Sequence, residues 1–138
     1  MDRLTKERRS WNMSRIQGKD TKPEIIVRSL LHRMGFRFRL HVGTLPGHPD
    51  IVLPRWKTVV LVHGCFWHRH RKCQFSYTPK SRKEFWLSKF EANVNRDRQT
   101  LTLLRKIGWK PVVVWECEIR ELEKLTKRLS REIVRSNE

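Results

Sequence analysis

No apolar stretch of this chain approaches the roughly 20 residues that a membrane-spanning helix needs. The N-terminus also lacks the basic-then-apolar pattern of an export signal, so neither a spanning nor an exported protein is expected. Cysteine is scarce. Three residues in 138 cannot pair completely as disulfides, which argues against a disulfide-framed secreted domain and for a reducing, cytoplasmic compartment. Acidic side chains are few, 14 against 31 Lys and Arg, and the resulting charge of +17 is spread along the chain instead of being confined to a tail. A polyanion is the expected partner, and without a membrane segment that polyanion is nucleic acid. There is no internal repeat, and the length allows one core but not two.

What the chain does have is concentrated between Val59 and Cys73, where a continuous apolar run ends in three histidines, two cysteines and two adjacent aromatics. Cys65, His70 and Cys73 form Cys-x4-His-x2-Cys, and the remaining cysteine, Cys117, follows a second strand-like run from Val112 to Glu116. Neighbouring strand ends would gather all four. Thiolate and imidazole ligands at such spacing suit tetrahedral zinc, and four protein ligands leave no position for a substrate, so this zinc would be structural. The alternative is that the cysteines are small buried hydrophobes, which does not explain why every one of them falls into the constellation. His63 and His68 are left over. Asp50, ending Leu45-Pro46-Gly47-His48-Pro49-Asp50, supplies a carboxylate at the start of another apolar run. An acid at one strand's start and histidines at the next strand's end make a candidate hydrolytic centre.

Residues 1–20 carry six basic residues from Arg3 to Lys19 and no sustained period, and read as a basic arm that contacts nucleic acid or as a disordered tail. A folded domain is expected over 21–138. Thr21-Lys22-Pro23-Glu24 is a capping box opening a helix over 22–34, in which Glu24 returns to the cap amide. Phe36, Phe38, Leu40 and Val42 alternate with basic residues as a half-buried strand, and His41 there reads as solvated or phosphate-near. Two further strands start at Asp50 and Thr58 and would bring Asp50 and His63 to one edge. Ser81-Arg82-Lys83-Glu84 is a second capping box, opening one long helix or two up to Gly108. Asn93 and Asp97, four apart, share a helical face. A strand over 110–116 and a helix over 122–134 follow. The expected fold is α/β: a sheet of about five strands flanked by helices, with Trp56, Trp109 and Trp115 in the core.

Leu45-Pro46-Gly47-x-Pro49-Asp50, His63-Gly64-Cys65-Phe66-Trp67-His68, Phe85-Trp86, Asn93-x-x-Arg96-Asp97, Gly108-Trp109 and Trp115-Glu116-Cys117 resemble the signature of the very-short-patch mismatch repair endonucleases, in the family's order and spacing from about Met13 to Cys117. That resemblance implies a three-layer restriction-endonuclease-like fold with a central mixed sheet and a structural zinc site. It also implies nicking 5′ to the T of a T:G mismatch in double-stranded DNA. Restriction endonucleases usually follow the Pro-Asp strand with a second acid, one residue and lysine, where this chain reads Val62-His63-Gly64. The resemblance implies that the Val62 carbonyl takes the acid's place as a metal ligand. It makes His68 the general base, sets His63 close to the scissile phosphate and gives Glu24 a place in the catalytic surroundings. Asn93 and Asp97 fall near the cleaved strand, with Asp97 holding a histidine. Phe66, Trp67 and Trp86 enter beside the mismatch, and Met13, in Asn12-Met13-Ser14-x-Ile16, inserts near the target step. A monomer, a bacterial, nucleoid-associated setting and a functional link to a DNA cytosine methyltransferase and a repair polymerase are further implications.

Phosphodiester hydrolysis needs an activated water, charge relief on the phosphoryl oxygens and help for the leaving group, most of which Mg2+ on oxygen ligands provides. Asp50 is the expected Mg2+ ligand. A histidine titrating near neutrality suits the base. The competing reading is a zinc-stapled DNA-binding module without catalysis, which charge and the Cys/His cluster alone would support. A zinc deaminase is disfavoured, because its His-x-Glu and Pro-Cys-x-x-Cys elements are absent.

Overall fold

The computed structural model describes residues 21–135, so the basic arm and Met13 lie outside the described residues. Helix α1 (Lys22–Arg33) starts with half of the expected capping box: Thr21 is extended and its Oγ1 accepts from the Glu24 amide at 3.4 Å, while the Glu24 carboxylate pairs with Arg28 instead of returning to the cap amide. Val27, Leu30 and Leu31, three and four apart, are its buried stripe.

Among the described residues, four strands form one sheet in the order β1 (Arg39–Leu40), β2 (Ile51–Leu53), β3 (Thr58–His63), β4 (Lys110–Trp115). It is mixed: β1/β2 and β2/β3 are antiparallel and β3/β4 parallel. Among the described residues the sheet has the four strands that the pattern placed, not the five or so that the length allowed, and β1 is cut to two exposed residues. The reason is local. His41 takes φ +52, leaving extended backbone immediately after Leu40, so Phe36 and Phe38 pack on the α1 side of the sheet, Val42 joins the opposite face, and Leu40, expected inside with them, is exposed.

Both faces of the sheet are covered, giving three layers. Ile51, Leu53, Val60, Val112 and Val114 pack with α1 and with Leu125, Leu129 and Ile133 of α3 (Leu122–Arg135). Val52, Val59 and Leu61 face Leu101 and Leu104 of α2 (Lys83–Lys106), a single 24-residue helix that crosses over between the parallel strands. The capping box expected at Ser81 does not form. Arg82 takes φ +57 and lays its guanidinium over the Phe85 ring at 4.5 Å, so α2 starts at Lys83 without a side-chain cap. Among the described residues no helix is long and apolar enough to cross a membrane.

Two devices fix the ends of strands that matter below. Arg128 of α3 donates to both carboxylate oxygens of Glu118 (2.8 and 2.6 Å) and to the Val113 carbonyl (2.6 Å), while Glu118 accepts from the Trp115 amide at 3.0 Å. The short 3-10 turn Glu116–Arg120, which carries Cys117, is thereby clamped onto the end of β4. On the other side, Gly47 has φ +76, and a Cβ there would stand 2.4 Å from Thr100 Cγ2. The loop leading to Asp50 is thus laid directly on α2. Gly47→Ala combines left-handed strain with overpacking and is expected to cost about 2 kcal/mol or more, read as a lowered Tm in thermal unfolding. An unchanged Tm would contradict the close approach.

Candidate active site

The antiparallel register sets Ile51 opposite Val60, so the start of β2 and the end of β3 share one edge. Asp50 precedes Ile51 there, and His63 closes β3. A cavity of about 740 Å³ opens at that edge, its wall including Asp50, Val62, His63, Trp67, His68 and Asp97. Glu24 of α1 and Asn93 of α2 also reach it.

Alternation along β3 turns His63 to the same face as Val59 and Leu61, toward α2. Its ring stacks on that of His68, centroids 4.0 Å apart and 8° from parallel. Burial, and secondarily the neighbouring His68, lowers the His63 pKa to about 4 against the raising effect of Asp97. A neutral ring results, able to donate one N–H. His68 Nδ1 lies 2.5 Å from Asp97 Oδ2. A carboxylate only accepts, so this contact puts the proton on Nδ1 and leaves Nε2 as the ring's acceptor. His63, His68 and Asp97 offer ligand atoms within 4.8 Å of one another, a group that could itself hold a cation. Asp50 is outside that trio. Its Oδ1 instead faces His41 Nδ1 at 3.2 Å.

Cys65, His70, Cys73 and Cys117 form the second group, again within 4.8 Å of one another, with His70 Nδ1 at 3.7 Å from Cys65 Sγ and 3.4 Å from Cys117 Sγ. No disulfide joins the cysteines. Burial pushes the Cys65 thiol up to about 12, whereas the Phe75 amide first, and then neighbouring donors, hold Cys73 below the ordinary thiol value. Three sulfurs and one imidazole at this range make a closed, soft, four-donor group with no opening for substrate.

Between the two groups run Phe66, Trp67 and His68, so the loop that carries the histidine is tied down on both sides. Asn93 Nδ2 donates to the Trp67 carbonyl at 3.3 Å, holding the loop to α2. Phe66 sits amid Trp67, Tyr77, Trp86 and Phe90, with centroids 5.0 to 5.6 Å away, and Trp67 lies 5.7 Å from Trp86. Glu24 is buried, 5% exposed, and ion-paired to Arg28 at 3.4 Å.

Two residues have parts that sequence reasoning did not give them. Trp115, expected in the core, stacks on the His70 ring (4.2 Å, 11°) and meets His63 edge-on at 5.3 Å, bridging the metal-binding group and the cavity. Its signal was its place two residues before Cys117 and, in the β3/β4 register, opposite His63. His41, read as solvated or phosphate-near, contacts Asp50. Nothing in its local pattern foretold this, because the left-handed turn that aims it is not encoded by periodicity.

Comparison with known proteins supplies the lineage. The family model described as DNA mismatch endonuclease Vsr matches residues 1–74. The chain is 50% identical over 128 residues to the type II nicking enzyme V.XorIIP of Xanthomonas oryzae pv. oryzae, covering 93% of each. It is 45% identical over 121 residues to the DNA mismatch endonuclease Vsr of Escherichia coli, covering 88% of this chain and 77% of that one. In fold it is similar to the catalytic domain of the homing endonuclease I-Bth0305I, with a TM-score of 0.61 at 20% identity over 85% of this chain and 98% of the other. On the match to more than half of its length and on these identities, the chain belongs to the family of DNA mismatch endonucleases of the Vsr type.

Proposed function

We propose that this endonuclease hydrolyses one strand of double-stranded DNA 5′ to the T of a T:G mismatch, the lesion left when 5-methylcytosine deaminates, in a Mg2+-dependent reaction. The observation that carries this is the sharing of one open cavity by Asp50, the stacked His63 and His68, and Asp97, with an aromatic group beside it. Names of the relatives, nicking enzymes and a DNA mismatch endonuclease, support the same class.

The donor types fit a hard cation: Asp50 offers a carboxylate and Val62 a backbone carbonyl, and both residues line the open cavity. Asp50 and the Val62 carbonyl would hold Mg2+, which supplies charge relief to the phosphoryl and leaving oxygens. His68 takes the proton from the attacking water at Nε2, its ring oriented by Asp97 at Nδ1. Neutral His63 donates an N–H to a phosphoryl oxygen. Glu24 completes the acidic side of the cavity. In the other group the sulfur-rich donor set fits Zn2+, held by Cys65, His70, Cys73 and Cys117, which fixes the loop bearing Phe66, Trp67 and His68.

Phe66, Trp67 and Trp86 act as an apolar wedge into the duplex, with Met13 of the arm entering from outside the described residues. Unstacking a base step costs a few kcal/mol and least at a mismatch, so the wedge selects T:G by the cost of opening it. The protein works as a monomer in the bacterial cytoplasm on nucleoid DNA, downstream of a cytosine methyltransferase and upstream of a repair polymerase.

A panel of end-labelled duplexes with Mg2+, carrying T:G in varied surroundings beside fully matched controls, tests the substrate. Nicking confined to T:G, on the T strand, is the expected result. Equal cutting of matched duplexes would overturn the specificity, and binding without cutting would leave a DNA-binding module.

A further inference from the structure

His41 is not in the wall of the cavity, yet it is the residue whose ring meets the Asp50 carboxylate. Behind it runs a chain of contacts into α1. Arg28 Nη2 lies 3.4 Å from His41 Nε2, and the same nitrogen lies 3.4 Å from Glu24 Oε2. The backbone repeats the link, with the His41 amide donating to the Asp50 carbonyl at 3.0 Å. We propose that His41, oriented by Arg28, is the positioning residue for the Asp50 carboxylate.

A guanidinium has no acceptor, so the Arg28 contact requires the lone pair of His41 at Nε2. With the lone pair at Nε2, an N–H is left at Nδ1, which faces Asp50 Oδ1 at 3.2 Å. Both neighbours thus favour one tautomer, and the carboxylate is held through a single oxygen, leaving Oδ2 as the oxygen His41 does not engage. The φ of +52 at His41 turns the chain out of β1 where the ring must swing toward Asp50, and such left-handed positions are rarely taken by a residue with a side chain. His41 does not line the cavity, so its effect reaches the reaction through Asp50, whose carboxylate it meets directly. Partners of this kind typically change metal affinity or activity by about 10- to 100-fold when removed.

This inference rests on the proposed role of Asp50, and the test separates the two. Long-range nitrogen–proton NMR of the metal-free protein is expected to show His41 as the Nδ1–H tautomer, shifting toward Nε2–H in Arg28→Ala. In nicking assays on a T:G duplex, His41→Ala is expected to raise the Mg2+ needed for half-maximal rate about 10-fold, with Tm and duplex affinity near those of the parent chain. His41→Asn, whose amide can still donate to Oδ1, is expected to recover most of that loss, and it carries the test should the alanine variant not fold. An unchanged Mg2+ requirement in both variants, or an Nε2–H ring in the parent chain, overturns the positioning role. Nicking that survives Asp50→Ala instead overturns the role of Asp50 itself.

Discussion

Asp50→Ala is expected to lower the nicking of a T:G duplex about 10^3-fold or more while leaving mismatch binding close to that of the parent chain. The size follows from what the residue would hold. A divalent cation at the phosphoryl group is worth several kcal/mol of transition-state charge stabilisation, and each 1.36 kcal/mol is a factor of ten in rate. Binding is spared because the wedge is a separate set of side chains, Phe66, Trp67 and Trp86, packed on one another. Single-turnover cutting and a gel-shift titration, made on the same preparation, read the two effects. Loss of binding in step with loss of cutting would mean that Asp50 holds the fold or the DNA, and not the chemistry.

Removal of the zinc proposed for the Cys65, His70, Cys73 and Cys117 group carries the second large effect. Its ligand set ties the loop after β3 to the turn after β4, and Trp115 stacks on the His70 ring between them. Metal binding at such a group is folding energy, about 10–16 kcal/mol in zinc-finger peptides. This chain has in addition a sheet core and two helix layers that do not involve the loop. The expected outcome of zinc extraction, or of Cys117→Ser, is therefore local: amides over 64–78 lose hydrogen-exchange protection, Trp115 fluorescence changes, and nicking falls with the displacement of His68, while the amides of β2, β3 and α3 stay protected. Full activity in metal-free protein would contradict the role given to the group.

Much of this arrangement was legible in the sequence, for identifiable reasons. Thr21 and Glu24 marked the start of α1, and the continuous apolar run from Thr58 marked a strand buried on both faces. The cysteines and His70 gather because short loop spacing and a parallel β3/β4 pair leave them nowhere else to go. Backbone conformation was the part that pattern could not supply. Ser81 followed by Glu84 is a capping box by composition, but a left-handed Arg82 removes the cap geometry, and a left-handed His41 both shortens β1 and creates the contact to Asp50. Long-range pairs escaped local reading as well. The His68 to Asp97 contact spans 29 positions and depends on how α2 lies across the sheet, which the resemblance to the mismatch endonucleases supplied and periodicity did not.

In the proposed mechanism Asp50, not the His63, His68 and Asp97 trio, holds the catalytic ion, although the trio's donors lie close enough together to bind an ion themselves. Anomalous scattering from a crystal of the protein loaded with Mn2+ in place of Mg2+ locates that ion directly. The account predicts a peak coordinated by the Asp50 carboxylate and the Val62 carbonyl. A peak held by His63, His68 and Asp97, with none at Asp50, would contradict it.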